Sequence, residues 1–241
     1  MIIFYRIYQL FIMAPVLLVA TIVASIATAV GCALGGGRWW GYYPARWWAR
    51  IFCIFSLVRV RVKGAENIDP TTSYVFVANH QGAYDIFSIY GYLPHKFRWM
   101  MKASLRKIPF VGYACEKAHQ IYVDKSSPAA LRRTMQRAED VLRGGTSLVV
   151  FPEGARTWNG KMRPFKRGAF FLANEFALPL VPVTIDGAFD IMPRTSKIPR
   201  PGTITLTIHP PIPSPATSEE QAEAIRRCFD DVHSALPPRH Q

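Results

Sequence analysis

The stretch Tyr74-Val75-Phe76-Val77-Ala78-Asn79-His80-Gln81-Gly82-Ala83-Tyr84-Asp85, YVFVANHQGAYD, decides how the rest of the chain reads. Its first half is a short run of β-branched and aromatic residues without polar alternation, the pattern of a strand buried on both faces. Its second half breaks into a histidine and a glycine, and an aspartate follows the histidine by five positions. Similar runs recur as VRVRV (58–62), HQIYV (119–123), SLVVF (147–151), LVPVTID (180–186) and TITLTIH (203–209). Helical patterns lie between them. Ser127 and Pro128 read as an N-cap and first helical residue, Leu131, Met135, Ala138 and Leu142 repeat at helical spacing, and Gly144 closes the segment. Ser218 and Gln221 read as a capping box ahead of EAIRRCFDDVHSAL, which Pro237 stops. This alternation predicts an α/β fold, a mixed, largely parallel sheet flanked by helices.

Upstream the chain is of another kind. No charged residue stands between Arg6 and Arg38, and the apolar run 10–34 exceeds the roughly 20 residues that cross a hydrocarbon core. The next apolar stretch, WWGYYPARWWARIFCIFSLV (39–58), carries Arg46 and Arg50 among tryptophans and tyrosines, a mixture suited to the headgroup level. An N-terminal membrane-embedded helical pair over residues 1–58 is therefore expected ahead of a catalytic domain over 59–241. Ala27-Thr28-Ala29 has the form of a signal cleavage site, but the apolar run is longer than the roughly 7–15 residues of a signal h-region. Arg38, Arg46, Arg50, Arg59, Arg61 and Lys63 follow the run and only Arg6 precedes it, which predicts an inner (plasma) membrane location with the remainder on the cytoplasmic face.

The chain has 241 residues and a formal net charge of +13, so an anionic partner is expected: a membrane surface, an acidic protein or nucleic acid. No recognised nucleic-acid motif accompanies the charge. Cys32, Cys53, Cys115 and Cys228 are widely spaced and show neither zinc-ligand nor disulfide-framework spacing, so free thiols and no metal are expected.

Ligands of such sheets gather beyond the carboxyl ends of the strands, where both NHQGAYD and FPEGAR (151–156) fall. On a regular helix His80 and Asp85 would point apart, so they pair only if the chain bends between them, and Gly82 permits a bend. A carboxylate that accepts from one ring nitrogen fixes the tautomer and leaves the other nitrogen free to take a proton from a substrate hydroxyl. A plain capping pair would have the same letters. In FPEGAR, Gly154 allows a sharp turn and Arg156 offers a planar fork suited to phosphate. Lys161, Arg163, Lys166 and Arg167 add positive charge, which a solvated basic face would also explain. A metal-dependent hydrolase using His80 and Asp85 with His95 or His119 is a rival without ligand spacing to support it. A non-catalytic basic membrane binder is another.

The two blocks together resemble the N-H-x-x-x-x-D and F-P-E-G-T-R blocks of the glycerolipid acyltransferases, the family of 1-acyl-sn-glycerol-3-phosphate acyltransferases. MKASLRKIPFVG (101–112), IYVDK (121–125) and LVPVTIDG (180–187) are similar to further blocks of that family, in the same order, so the likeness covers roughly residues 58–212. The resemblance implies transfer of a fatty acyl group from an acyl carrier protein or coenzyme A thioester to the sn-2 hydroxyl of lysophosphatidic acid at the membrane. No cofactor, metal or covalent acyl-enzyme is implied. It further implies that His80 is the general base and Asp85 its orienting partner. Glu153, Gly154 and Arg156 would form the acceptor's phosphate site, with Lys102 assisting. Two departures bear on the acceptor: Ala155 stands where the family has a hydroxyl residue, and Lys125 where arginine is common. Another lysolipid such as a lyso-aminolipid is the alternative acceptor.

Overall fold

The computed structural model describes residues 2–124 and 126–240. Helix α1 (Ile2–Tyr8) runs through a π-helical turn (Gln9–Met13) into α2 (Ala14–Ala33), giving one apolar rod. Its polarity is inverted relative to a soluble amphipathic helix. Gln9, Met13, Leu17, Ser25, Thr28 and Gly31 are buried against the rest of the protein, while Leu10, Phe11, Leu18, Val19, Val23 and Val30 face outward. Small and polar residues inside with branched aliphatics outside is the pattern of a helix that meets lipid. By length and composition, Ile3–Ala33 could cross a membrane.

After the short α3 (Gly37–Trp40), helix α4 (Tyr43–Phe55) folds back along α2, and the Trp48 indole N–H donates to the Thr21 hydroxyl at 2.9 Å. Ala49 and Cys53 of α4 are wholly buried in the main core, so α4 packs on the globular domain as well as on α2. The rod touches that domain near both ends. Gln9 donates to the Pro199 carbonyl at 2.8 Å, and Cys32 and Ala33 line a groove with residues 113–119.

The domain then runs β1 (Val58–Lys63), β2 (Val75–Ala78), α5 (Tyr84–Tyr92), β3 (Phe97–Lys102), α6 (Val111–Lys117), β4 (Ile121–Val123), α7 (Pro128–Arg143), β5 (Ser147–Val150), α8 (Gly168–Glu175), β6 (Leu180–Asp186), α9 (Ala188–Ile191), β7 (Gly202–Ile208) and α10 (Ser218–Ser234). The seven strands form one sheet in the order β1-β7-β6-β2-β5-β3-β4, every neighbouring pair parallel except β6 with β7. The mixed, largely parallel sheet flanked by helices is as the sequence leads one to expect.

Central β2 shows why its sequence does not alternate. Phe76 and Ala78 enter a core shared with α4 and α5, Val75 and Val77 enter a second core under α8 and α10, and all four are fully buried. Strand β3, FRWMMK, escapes the sequence reading because Arg98 and Lys102 break its apolar run. The cap of α7 is as expected: the Ser127 hydroxyl accepts from the Ala130 N–H at 3.1 Å. The cap of α10 is not Ser218. Thr217, in extended conformation, accepts from the Glu220 N–H at 3.1 Å, and Glu220 reaches back to the Ala216 N–H at 2.7 Å. After α9, Pro193 turns back to pair with Gly82.

The ends of β2 and β6 are joined by Asn79, whose amide donates to the Ile185 carbonyl at 2.9 Å and accepts from the Ile185 N–H at 2.7 Å, with its side chain wholly buried. Replacing Asn79 by Ala leaves both backbone groups of Ile185 unsatisfied away from water. A loss of roughly 2–4 kcal/mol is expected in denaturant unfolding of the detergent-solubilised protein. A loss below about 0.5 kcal/mol would mean that this junction is not what holds the two strand ends together.

Candidate active site

Strands β2, β3, β5 and β6 run in one direction, so residues 79–83, Lys102, residues 151–157 and Gly187 all emerge at the same edge of the sheet. Here the chain bends between His80 and Asp85 as expected, and Asp85 sits in the first turn of α5. One of its oxygens, Oδ2, accepts three hydrogen bonds: from the Gln81 N–H at 2.7 Å, the Gly82 N–H at 2.9 Å and His80 Nδ1 at 2.7 Å. A carboxylate can only accept, so the proton is on Nδ1 and the lone pair on Nε2. Asp85 is fully buried, whereas the His80 side chain remains 14% exposed, and no described residue bonds its Nε2.

The glycine in this turn serves another purpose than the expected one. Gly82 does not adopt positive φ. A Cβ there would stand 2.3 Å from the Ala188 carbonyl oxygen, so glycine is needed for close approach of the β6–α9 turn, and the Ala83 N–H also donates to the Met192 carbonyl at 3.0 Å.

Phe151, quoted in the sequence only as the start of a block, sets the plane of the catalytic candidate: its ring stacks on His80 at 4.0 Å between centroids and 7° between planes, and Trp99 stacks behind it at 5.3 Å. Glu153 ties the two loops together. Its Oε1 accepts from the His80 backbone N–H at 2.7 Å and its Oε2 from the Arg163 N–H at 2.9 Å, while the Thr157 N–H donates to the His80 carbonyl at 3.0 Å. Glu153 is 1% exposed, so it shapes the site through backbone and does not present its carboxylate to a ligand.

Beyond it Gly154 takes φ +77, and the Lys166 ammonium lies 3.0 Å from where a Cβ would stand. No described residue engages the guanidinium of half-buried Arg156. Arg194 donates to the Arg156 carbonyl at 3.4 Å and its own guanidinium lies on Trp158 at 4.1 Å. Lys161, Arg163, Lys166 and Lys102 are exposed. The result is an imidazole with an unengaged Nε2 at the mouth of a cationic rim, suited to proton abstraction beside an anionic group.

A far segment completes the wall. The His240 carbonyl accepts from the Met162 N–H at 3.3 Å, and its buried ring abuts Gly160, whose own carbonyl accepts from the Gln81 amide at 3.0 Å. Nothing in the sequence pointed to His240, because its partners lie some eighty positions away. The other histidines weighed from sequence are elsewhere. His95 and His119 precede β3 and β4, at the opposite edge of the sheet, and both nitrogens of His95 face backbone carbonyls of Lys96 and Thr72 at 2.9 and 3.0 Å. Among the described residues no three metal-ligating side chains converge. Lys125 lies outside the described residues.

Comparison with known proteins agrees with this picture. The Acyltransferase family profile matches residues 59–186, more than half of the chain. A 1-acyl-sn-glycerol-3-phosphate acyltransferase of Chlamydomonas reinhardtii is 32% identical over 75% of this chain and 54% of its own. The alpha enzyme of that name from Homo sapiens is 32% identical over 70% of this chain and 60% of its own. The chloroplastic LPAT1 of Arabidopsis thaliana is 31% identical over 71% and 48%. This chain thus spans about half the length of the curated relatives it matches. Among solved structures, the 1-acyl-sn-glycerophosphate acyltransferase PlsC from Thermotoga maritima superposes with a TM-score of 0.69 at 25% identity, over 90% of this chain and 93% of that one.

The buried bracket makes a prediction about pH. Burial pushes the Glu153 carboxyl from its ordinary 4.5 up to about 7, the charge of Asp85 adding to the rise and the two backbone N–H donors opposing it. Because the folded value is the higher one, stability contributed by the neutral acid is present below pH 4.5 and is lost as pH rises through about 7. That loss is on the order of 3 kcal/mol, and Glu153→Gln, which cannot ionise, should not show it. Unfolding midpoints of wild type and variant across this range should converge or cross as pH rises. Parallel curves would remove the buried carboxyl from the explanation.

Proposed function

Because this chain belongs to the Acyltransferase family, we propose that it transfers a fatty acyl group from an acyl carrier protein or coenzyme A thioester to the sn-2 hydroxyl of lysophosphatidic acid, yielding phosphatidic acid. The observation that carries the chemistry is the 2.7 Å bond from His80 Nδ1 to buried Asp85, which leaves Nε2 as the free base at the site's mouth. The acceptor is assigned from the names of the relatives; the cationic rim supports it.

In this mechanism His80 Nε2 takes the proton of the acceptor hydroxyl as its oxygen attacks the thioester carbonyl. Asp85 holds the imidazole in place and favours the imidazolium that forms. The tetrahedral oxyanion collapses, the carbon–sulfur bond breaks, and the departing thiolate recovers the proton from His80. Arg156 is the candidate for a bidentate hold on the acceptor phosphate, with Lys102 and the Lys161–Lys166 cations adding charge. The thioester is a co-substrate, and no resident cofactor is required.

Membrane association is part of the proposal. The outward aliphatic face of the rod, the exposed Trp39, Trp40 and Trp47, and the arginines after them support a chain embedded in the inner (plasma) membrane with its catalytic domain on the cytoplasmic face among anionic lipids. Contact between domain and rod near both rod ends favours a rod that lies along the membrane-facing side of the domain.

The purified protein should label phosphatidic acid from a labelled acyl thioester and lysophosphatidic acid. General-base assistance is worth about 100- to 10,000-fold, so His80→Ala should lower the rate by a factor in that range, and Arg156→Ala should raise the acceptor KM by at least about tenfold. Retention of more than about a tenth of the rate by His80→Ala would end the base assignment. Label appearing only in a lyso-aminolipid product would keep the reaction and move the acceptor, with Ala155 and Lys125 as the residues to blame.

A further inference from the structure

Between β3 and β4 the segment 105–113 displays Leu105, Ile108, Phe110 and Tyr113, exposed by 36%, 43%, 57% and 58%. This is no floppy loop. The turn Ala103–Lys107 folds onto Gly112 so closely that a Cβ there would stand 2.0 Å from the Arg106 carbonyl oxygen, and the Gly112 N–H donates to the Ile108 carbonyl at 2.8 Å. Phe110 itself takes φ +61, a conformation rare for a bulky side chain, and the turn holds it there with its ring in solvent. A preformed turn that fixes apolar side chains outward needs something apolar to receive them.

Its place says what. Helix α6, which begins at Val111, lies against the end of the apolar rod, and Tyr113, Glu116, Lys117 and His119 share a groove of about 500 Å³ with Cys32 and Ala33. The segment therefore sits near the end of the rod's apolar run, the end on which Trp40 packs against Gly31 and Gly36. Lys107 is exposed there, Lys117 lies over the Tyr113 ring at 5.4 Å, and Arg106 leans on Tyr122 at 4.8 Å and on the exposed Glu116 at 3.5 Å. Apolar tips ringed by cations, with aromatic side chains among them, match the boundary between headgroups and acyl chains of an anionic bilayer.

We propose that Leu105–Tyr113 is a second membrane-inserting element, separate in sequence from the N-terminal rod, that seats the apolar tips Ile108 and Phe110 below the headgroups of an anionic bilayer. It rests on the membrane association proposed above and adds a consequence. The segment follows directly on Lys102 at the end of β3, so seating it draws the catalytic edge of the sheet onto the surface that supplies the acceptor.

The full chain is reconstituted in vesicles of phosphatidylcholine and phosphatidylglycerol carrying lipids brominated high in the acyl chain, and the tryptophan fluorescence of three variants is compared with wild type. Leu18→Trp reports the rod, Phe110→Trp the proposed element, and Phe171→Trp a similarly exposed site on α8, which packs on the opposite face of the sheet from α4 and α5. The added emission of Leu18→Trp and Phe110→Trp should be quenched and that of Phe171→Trp spared. Quenching at Leu18→Trp without quenching at Phe110→Trp would overturn the element while leaving the membrane reading intact. No quenching at either would overturn both.

Kinetics give a second readout. Ile108→Ser with Phe110→Ser should raise KM for vesicle-borne lysophosphatidic acid about tenfold while leaving turnover of a short-chain, monomeric acceptor within about twofold. Equal losses on both acceptors would mean that the segment builds the site and does not dock it, and would also overturn the proposal.

Discussion

A single carboxylate oxygen of Asp85, wholly buried, receives three N–H groups, and the site depends on that convergence. Two of the donors are backbone groups of residues 81 and 82, so the same oxygen that orients the His80 imidazole also dictates the path of the turn leading to it. Geometry and chemistry cannot be separated here: a carboxylate so placed gives the loop one conformation and the ring one tautomer. Phe151 then fixes the ring plane from one side, and Glu153 holds the His80 backbone from beneath. These partners arrive from two strand ends, those of β2 and β5, which is why the arrangement needs the two strands to run parallel. Parallel neighbours bring their carboxyl ends to one edge, whatever their separation along the chain.

The N-terminal rod is patterned differently from the domain. In the domain, apolar side chains point inward and β2 is buried on both faces; along the rod Gln9, Ser25, Thr28 and Gly31 face inward beside Met13 and Leu17, and most of the leucines and valines face outward. Helix α4 reconciles the two, giving Ala49 and Cys53 to the core and Trp48 to Thr21 of the rod. A fold that exposes so much aliphatic surface on one side is stable only where that surface is covered.

How far the residues alone could be read depended on whether the governing interaction was local. The caps of α7, the unbroken apolar strands and the bend between His80 and Asp85 all follow from neighbours within a few positions. Strand β3 did not, because its charges hide a run that tertiary pairing with β5 stabilises. Gly82 was expected as a hinge for its own turn and is instead a clearance for Ala188, a residue over a hundred positions on. Glu153 was expected at the anion site, and both of its oxygens accept from backbone N–H groups, those of His80 and Arg163, far apart along the chain. His240 carried no local signal at all.

By itself, then, the order of residues determined an α/β domain behind an apolar helix, and two blocks whose types suit a base and an anion site, since periodicity, side-chain chemistry and short-range turns are written in adjacent letters. Only the tertiary structure decided which oxygen meets which nitrogen, that Glu153 is a bracket, that α4 belongs to the core, and that residues 105–113 stand at the end of the rod. The physical reason is range. Burial and hydrogen bonding act through space between side chains that the sheet brings together, and close packing leaves each of them one arrangement.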